Sequence, residues 1–226
     1  HGNDQPLARG RTSERDFGGH LVSGIPLIFT SGWASGIDAY AVVLILGLLG
    51  RYGHQAAVPP TLERTDVLIA AGVLFAIQFV VDKIPYLDST SDIIHTVIRP
   101  VLGAAIAALM AGHAHTLPQA AAAVIGGSTA LVTHLIKTGV RMGVNTSPEP
   151  FSNIAVSILE SLTVAGMTVF ALLHPLPAAL LAGGLLLIGA VLVVFLFSRI
   201  RRFWRRRRER RRQRQSGPSP VGQTTA

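Results

Sequence analysis

Long apolar stretches are the feature that most constrains this chain. Six of them are predicted to form helices: 25–49, 66–81, 93–112, 117–140, 151–173 and 176–197. A helix needs ~20 apolar residues to cross the hydrocarbon core of a bilayer. Lipid offers no hydrogen bonds to the backbone, so the spans must be helical and must pack together. The sequence therefore predicts an all-α membrane protein, a polytopic helix bundle of about six transmembrane helices.

The net charge of +8 is concentrated in one segment. Residues 199–214 hold eleven arginines and one glutamate, which leaves a net charge of −2 on the rest of the chain. We therefore divide the chain into a polar N-terminal segment (1–24), the bundle (25–198) and an Arg-rich cytoplasmic tail (199–226) that is predicted to be disordered. Anionic lipid headgroups are the expected partners of the tail, because each basic residue near such a leaflet contributes up to about 1 kcal/mol. Nucleic acid is not an expected partner.

Loop charges predict the orientation of the spans. With six spans and the tail inside, 18 basic residues lie on the inner side and 2 on the outer side. Cytoplasmic loops of membrane proteins carry such an excess of lysine and arginine. The pattern predicts a multi-pass protein of the inner (plasma) membrane with both termini cytoplasmic.

A shift of 90 residues aligns several glycines, prolines and arginines. The coincidences are Gly36 with Gly126, Arg51 with Arg141, Gly53 with Gly143, Pro60 with Pro150, and Pro85 with Pro175. Each unit would hold three spans, and an odd number places two units in opposite orientations, as in many transporters. Two inverted three-helix repeats are one interpretation, and coincidence in a Gly-rich chain is the other.

Two acids lie near the middle of predicted spans, Asp38 in the first and Glu160 in the fifth. An acid at mid-bilayer costs about 2.5–3.5 kcal/mol on insertion scales, so each must face the bundle interior. Helical spacing groups them with other polar residues. The three predicted stripes are Ser31, Ser35 and Asp38; Asn153, Ser157, Glu160 and Thr168; and the cationic face of His134, Lys137 and Arg141. They either line a polar cavity or pair to hold the helices together.

Two helix breaks carry further candidate residues. In "DKIPYLDSTSD", Pro85 must stop or kink the helix that contains Asp82 and Lys83. This stretch is either a helix–break–helix or a cytoplasmic mouth that these two residues gate or line. In "NTSPEPFSN", Asn145 and Glu149 belong either to a tight turn or to a helix end that contacts substrate.

No feature of the sequence predicts a cofactor, a metal site or an enzyme. The pair His113 and His115 is a weak metal signal, since zinc sites usually need three or four ligands. We find no nucleophile–base motif, no Gly-rich phosphate loop and no closely spaced pair of carboxylates.

Four motifs together carry a resemblance to a known family. "SGWASGIDAY", "FVVDKIPYLDS", "HTVIRP" and "VNTSPEPFSN" resemble the landmarks of an uncharacterised bacterial membrane-protein family, domain of unknown function 4126. The resemblance implies a small multi-span inner-membrane protein with no assigned activity, and it supplies no catalytic residues. The Arg-rich tail lies outside it.

The mid-span acids, broken helices and repeat favour a small transporter or channel-like protein for an ion or small solute. Asp38 and Glu160 would couple transport to protons or cations, while Lys137 and Arg141 would tune these acids or meet an anionic substrate. The alternative is a non-transporting membrane scaffold or partner subunit. A third, weaker hypothesis is an enzyme acting on lipid headgroups. The sequence leaves open whether the protein forms a homo-oligomer.

Overall fold

A computed structural model describes residues 9–83, 87–115, 117–144 and 150–215. These residues contain six α-helices and one short 3₁₀ turn, Pro60–Glu63. The helices are α1 (Arg9–Gly53), α2 (Thr65–Val81), α3 (Leu87–Ala114), α4 (Gln119–Val144), α5 (Pro150–Leu173) and α6 (Pro175–Gln215).

The predicted fold class is confirmed, since the described residues form an all-α helical bundle. Five helices are long and apolar enough to cross a bilayer, so the chain is a multi-pass membrane protein. The exception is α2, whose 17 residues extend about 25 Å at 1.5 Å per residue. That length is at the lower limit for a crossing helix.

The first helix is broken at Asp38, whose backbone angles are φ −153° and ψ 95°. This extended residue separates a first arm, residues 24–37, from a second arm, residues 39–53. The two arms run in opposite directions along α3. In the first arm, Ser31 contacts Met110 and Gly36 contacts Arg99, so the arm is antiparallel to α3. The second arm and the loop after it run back beside α3.

The path of the second arm follows from two contacts with α3. The Tyr40 ring lies 5.9 Å from the His95 ring, and Ala56, just beyond the arm, accepts a hydrogen bond from His113 at 2.9 Å. The two arms therefore form a V with its apex at Asp38. We call the end of the bundle that contains His113 the His113 end, and the opposite end, where α6 reaches Arg199, the Arg199 end.

The V changes the path expected for the first apolar stretch. Residues 25–49 are helical and apolar as predicted, but they enter and leave at the same end. Gly24, Ala57 and Pro175 line one cavity at the His113 end. Since α6 runs from Pro175 to the other end, Gly24 and Arg199 lie at opposite ends of the bundle. This differs from the prediction that the chain begins and ends on one side.

Small residues allow the first arm to approach the bundle closely. A Cβ atom added to Gly32 would lie 2.8 Å from the Cα and carbonyl oxygen of Gly126. A Cβ atom added to Gly126 would lie 2.6 Å from the carbonyl oxygen of Gly103 and would also clash with Ala107. The backbones of α1, α3 and α4 therefore pack against one another at glycine, as expected for helices in lipid.

The structure revises one sequence prediction and leaves another unconfirmed. Helix α6 continues to Gln215, so the Arg-rich segment is helical to that residue, not disordered. Arginine is a good helix former, and extending an existing helix avoids the cost of nucleation. The 90-residue shift would align Asp38, at the break of α1, with Ser128 inside the continuous α4. The inverted repeat stays a prediction.

Candidate functional site

Asp38 begins the second arm as its N-cap. Its Oδ1 atom accepts a hydrogen bond from the Ala41 N–H at 3.0 Å. Aspartate is a favoured N-cap, because its carboxylate satisfies an N–H group that has no partner within the helix. The residue is only 5% exposed, so this cap lies inside the protein and not at a surface.

Two cations cap the other side of the break. The last carbonyl groups of a helix have no partner within it. At the end of the first arm, Lys137 donates to the Ile37 carbonyl at 3.0 Å and Arg99 donates to the Gly36 carbonyl at 3.2 Å. The negative end of a helix dipole favours cations there. The apex is thus held by an acid on one half-helix and by two bases, from α4 and α3, on the other.

Glu160 joins this apex to a second group of charges. Arg141 donates to both oxygens of Glu160, from Nε at 3.1 Å and from Nη2 at 2.7 Å. Lys137 Nζ lies 3.0 Å from Glu160 Oε2 and 3.7 Å from Asp82 Oδ2. Such a bidentate arginine–carboxylate pair is stronger than a single charged hydrogen bond. Four charged side chains from α4, α5 and the end of α2 therefore form one network.

His134 connects Arg99 to the start of α3. Its Nδ1 atom lies 2.9 Å from Arg99 Nη1. Because arginine only donates, Nδ1 must accept and the proton of a neutral imidazole must be on Nε2. Nε2 lies 3.1 Å from the Asp92 carbonyl oxygen and 3.1 Å from Thr96 Oγ1. The Asp92 carbonyl oxygen accepts a hydrogen bond from the Nε2–H group. His134 is fully buried, so the network fixes its tautomer.

Most of the predicted site residues meet in this cluster. The structure brings together the following six: Asp38, Asp82, His134, Lys137, Arg141 and Glu160. Lys83 is separate from them, because its ammonium donates to the Phe79 carbonyl one turn earlier on α2, at 2.9 Å. Burial lowers the pKa of Lys83. Asn145 and Glu149 lie outside the described residues.

Sequence reasoning missed Arg99 as a site residue. In the sequence, Arg99 and Pro100 together only interrupt the apolar stretch 93–112. In the structure Arg99 is 1% exposed and contacts both the apex of the V and His134. The signal was present, since an ionisable residue inside a transmembrane segment is a functional candidate by default. Gln78, which is 3% exposed, was also missed. A single uncharged glutamine changes the apolar character of a predicted helix very little.

Residues of the first arm line two cavities. The larger, about 630 Å³, is at the His113 end, is mostly apolar, and is lined in part by Leu27 and Ile28. The smaller, about 170 Å³, is lined by Lys137, Glu160 and the arm residue Ile37, among others. The same arm therefore borders both cavities, and its end residues reach the charged cluster.

The serine stripe predicted on α1 connects these two regions. Ser31 donates to Met110 Sδ at 3.4 Å, and Met110 lines the larger cavity. Ser35 donates to the Ser31 carbonyl at 2.7 Å. Asp38 follows one turn later, so two hydroxyl groups mark a polar stripe from the larger cavity to the apex. Both serines are buried.

Comparison with known proteins identifies a family but no activity. Residues 25–195 match the family described as "Domain of unknown function (DUF4126)". No curated protein matches the chain, and no solved structure matches it. The match covers the V, the charged cluster and both cavities, and it ends before the Arg-rich segment.

Proposed function

Because the chain belongs to the DUF4126 family, whose description states no activity, we propose from its own geometry that it is a small transporter or channel-like protein. The observation that carries the proposal is the broken helix α1, whose apex lies among buried charges and whose first arm lines two cavities. The transported species is an ion or small solute. The proposal assigns no enzymatic step to the protein.

The broken helix supports this function because transporters commonly bind their ligands at such breaks. The unpaired ends of two half-helices offer backbone groups and dipoles to a ligand near the middle of the membrane. Here the apex lies about 21 Å along α3 from the His113 end, as judged from the position of Arg99 and a rise of 1.5 Å per residue. The apex is therefore deep inside the protein.

Asp38 is the proposed coupling residue and Glu160 the second acid. Protonation of Asp38 would keep one N-cap acceptor while it removes a negative charge beside Arg99 and Lys137. Because both cations hold carbonyl groups of the first arm, a change of charge at Asp38 would act directly on the arm. The arm borders both cavities, so its movement would change access to them.

Proton flux in proteoliposomes tests the proposal. The purified protein is reconstituted, a potassium diffusion potential is applied, and internal pH is followed with a dye. Wild-type protein is expected to carry protons, alone or with a small solute. Asp38→Asn is expected to reduce flux at least tenfold while the protein remains folded, because asparagine also caps helices.

The matched control is Asp66→Asn. Asp66 is an exposed acid at the start of α2, paired with Arg64 at 2.7 Å, and its replacement is expected to leave flux unchanged. Absence of flux for protons, alkali cations, chloride and small carboxylates in the wild type would contradict the proposal. So would equal flux in Asp38→Asn and wild type.

The second candidate function is a non-transporting membrane scaffold or partner subunit. The observation that favours it is the pairing of Arg141 and Lys137 with Glu160, which satisfies these charges within the chain. This candidate predicts a stable partner or a homo-oligomer on copurification and no flux.

For either candidate we propose an inner (plasma) membrane location with the Arg199 end in the cytoplasm. The eleven arginines of residues 199–214 support this orientation and would meet anionic lipid headgroups there. The chain would then enter the bundle at Gly24 from the opposite side.

A further inference from the structure

Arg99 differs from the other two buried cations of the cluster. Lys137 and Arg141 each lie within 4.0 Å of a carboxylate. Arg99 has no carboxylate within that distance among the described residues, although it is 1% exposed. A buried charge without a counter-charge is strongly unfavourable. Asp38 interacts with Arg99 only beyond that distance, so no described carboxylate forms a direct ion pair with the guanidinium.

The hydrogen bonds of Arg99 show which of its atoms would meet this anion. Nη1 is engaged by the Gly36 carbonyl and by His134. Nε and Nη2 are buried, and no described residue accepts a hydrogen bond from either. These two nitrogens form one edge of the guanidinium, and their parallel N–H groups match the two oxygens of a carboxylate. Nη1 thus anchors the side chain while the opposite edge stays available.

Other unpartnered polar groups lie at the same depth. The amide of Gln78 is buried and neither its oxygen nor its nitrogen has a partner. Gly72 faces Leu44, and α2 packs antiparallel to the second arm. Six residues later in α2 and six residues earlier in the arm, this register places Gln78 opposite Asp38. Thr133, whose hydroxyl is also unpartnered, faces Gly36.

The smaller cavity comes close to this level. Thr133 and Ile37 both line it, and each is adjacent to the residues that hold Arg99. Lys137 and its partner Glu160 also line this cavity.

We propose that the Nε–Nη2 edge of Arg99 is a binding site for a small monocarboxylate anion. The site is at the apex of the V, with Gln78 and Thr133 as neighbouring polar groups. The anion supplies the hydrogen-bond acceptors that this edge of Arg99 lacks. Carboxylate binding can be tested separately from the proposed transport, because it is measured at equilibrium in detergent without any gradient. If the proposed transport also holds, we expect the carboxylate to be a transported species.

The experiment titrates purified full-length protein in detergent with acetate, chloride or gluconate as potassium salts at constant ionic strength. The readouts are calorimetric binding and the shift of Tm. Acetate is expected to bind saturably and to raise Tm. Gluconate is expected to do neither, because it is much larger than acetate and the guanidinium edge is buried. Chloride binding equal to that of acetate, or no saturable binding of acetate, would overturn the assignment.

Two variants of Arg99 and one control locate the site. Arg99→Lys retains the charge and loses the two-donor edge, and Arg99→Gln loses both. Each is expected to weaken acetate binding at least tenfold. Arg64→Gln removes an exposed arginine, which is 64% exposed at the side chain, and is expected to bind acetate as the wild type does. Unchanged acetate binding in Arg99→Lys and Arg99→Gln would refute the proposal.

Should both Arg99 variants fail to fold, the wild type still decides the question. Its structure determined with 3-bromopropionate would reveal the bromine by anomalous scattering. A peak beside Arg99, with the carboxylate on Nε and Nη2, is the expected result. A peak only elsewhere on the protein would refute the assignment.

Discussion

At the scale of single residues, Asp38 combines two roles that are usually separate. It caps a half-helix through Ala41, and it lies beside the bases that hold the preceding half-helix. A mid-span acid in the sequence indicated only that the side chain faces inward. The structure adds that its backbone is extended, which makes it the point where the helix reverses.

The cap and the charge of Asp38 can be separated by substitution. Asp38→Ala is expected to destabilise the protein by about 1 kcal/mol relative to Asp38→Asn, because alanine cannot accept the Ala41 N–H. Thermal unfolding in detergent measures the difference. Equal stability of the two variants would show that the cap contributes nothing.

Glu160 is expected to be the acid whose loss harms stability most. Glu160→Gln leaves Arg141 without its bidentate partner and Lys137 with Asp82 alone. Breaking a buried pair costs about 3–5 kcal/mol, so Tm should fall clearly, whereas Asp66→Asn should not change it. The double variant Glu160→Gln with Lys137→Met should recover part of the loss. If Glu160→Gln alone is as stable as the wild type, the pairing is energetically unimportant.

At the scale of elements, the first arm depends on glycine contacts with α4. Its apolar composition predicted a helix, and small residues were expected at helix contacts. Which glycines touch could not be read from the sequence, because contact depends on how α1 bends. Gly32 and Gly126 meet only because the arm runs parallel to α4.

The close contacts of Gly126 predict a position-specific effect of an added methyl group. Gly126→Ala would clash with Ala107 and the Gly103 carbonyl, and overpacking of this kind typically costs about 1–3 kcal/mol. Gly183→Ala, in α6, has nothing within 4 Å of the added Cβ and should be neutral or slightly stabilising. Thermal unfolding of both variants checks this expectation, and a Gly126→Ala protein no less stable than Gly183→Ala would contradict the packing described.

At the scale of the whole molecule, the V places Gly24, where the chain enters the bundle, at the end opposite to the one expected. Loop charges predicted both termini on one side because each apolar stretch was counted as one crossing. Because residues 25–49 enter and leave the bundle at one end, they do not cross the membrane, and the chain has one crossing fewer than expected. The chain then enters at the His113 end and α6 leaves at the Arg199 end.

Cysteine labelling tests this path, and the chain contains no cysteine of its own. Membrane vesicles of known orientation are prepared with each of three single variants and treated with an impermeant maleimide. The variants are Ile25→Cys, Ala57→Cys and Arg199→Cys. Ile25→Cys and Ala57→Cys are expected to react from the same side and Arg199→Cys from the other. Reaction of Ile25→Cys together with Arg199→Cys would support a straight first helix.

The sequence by itself determined the class of this protein and most members of its charged cluster. Apolar length dictates helices in lipid, and the cost of burying charge requires Asp38, Lys137, Arg141 and Glu160 to face inward, so both follow from local chemistry. Only the tertiary structure decided the reversal at Asp38, the pairing partners and the free edge of Arg99. These depend on which helices become neighbours, and a single extended residue redirects fifteen residues of helix without leaving a distinctive mark in the sequence.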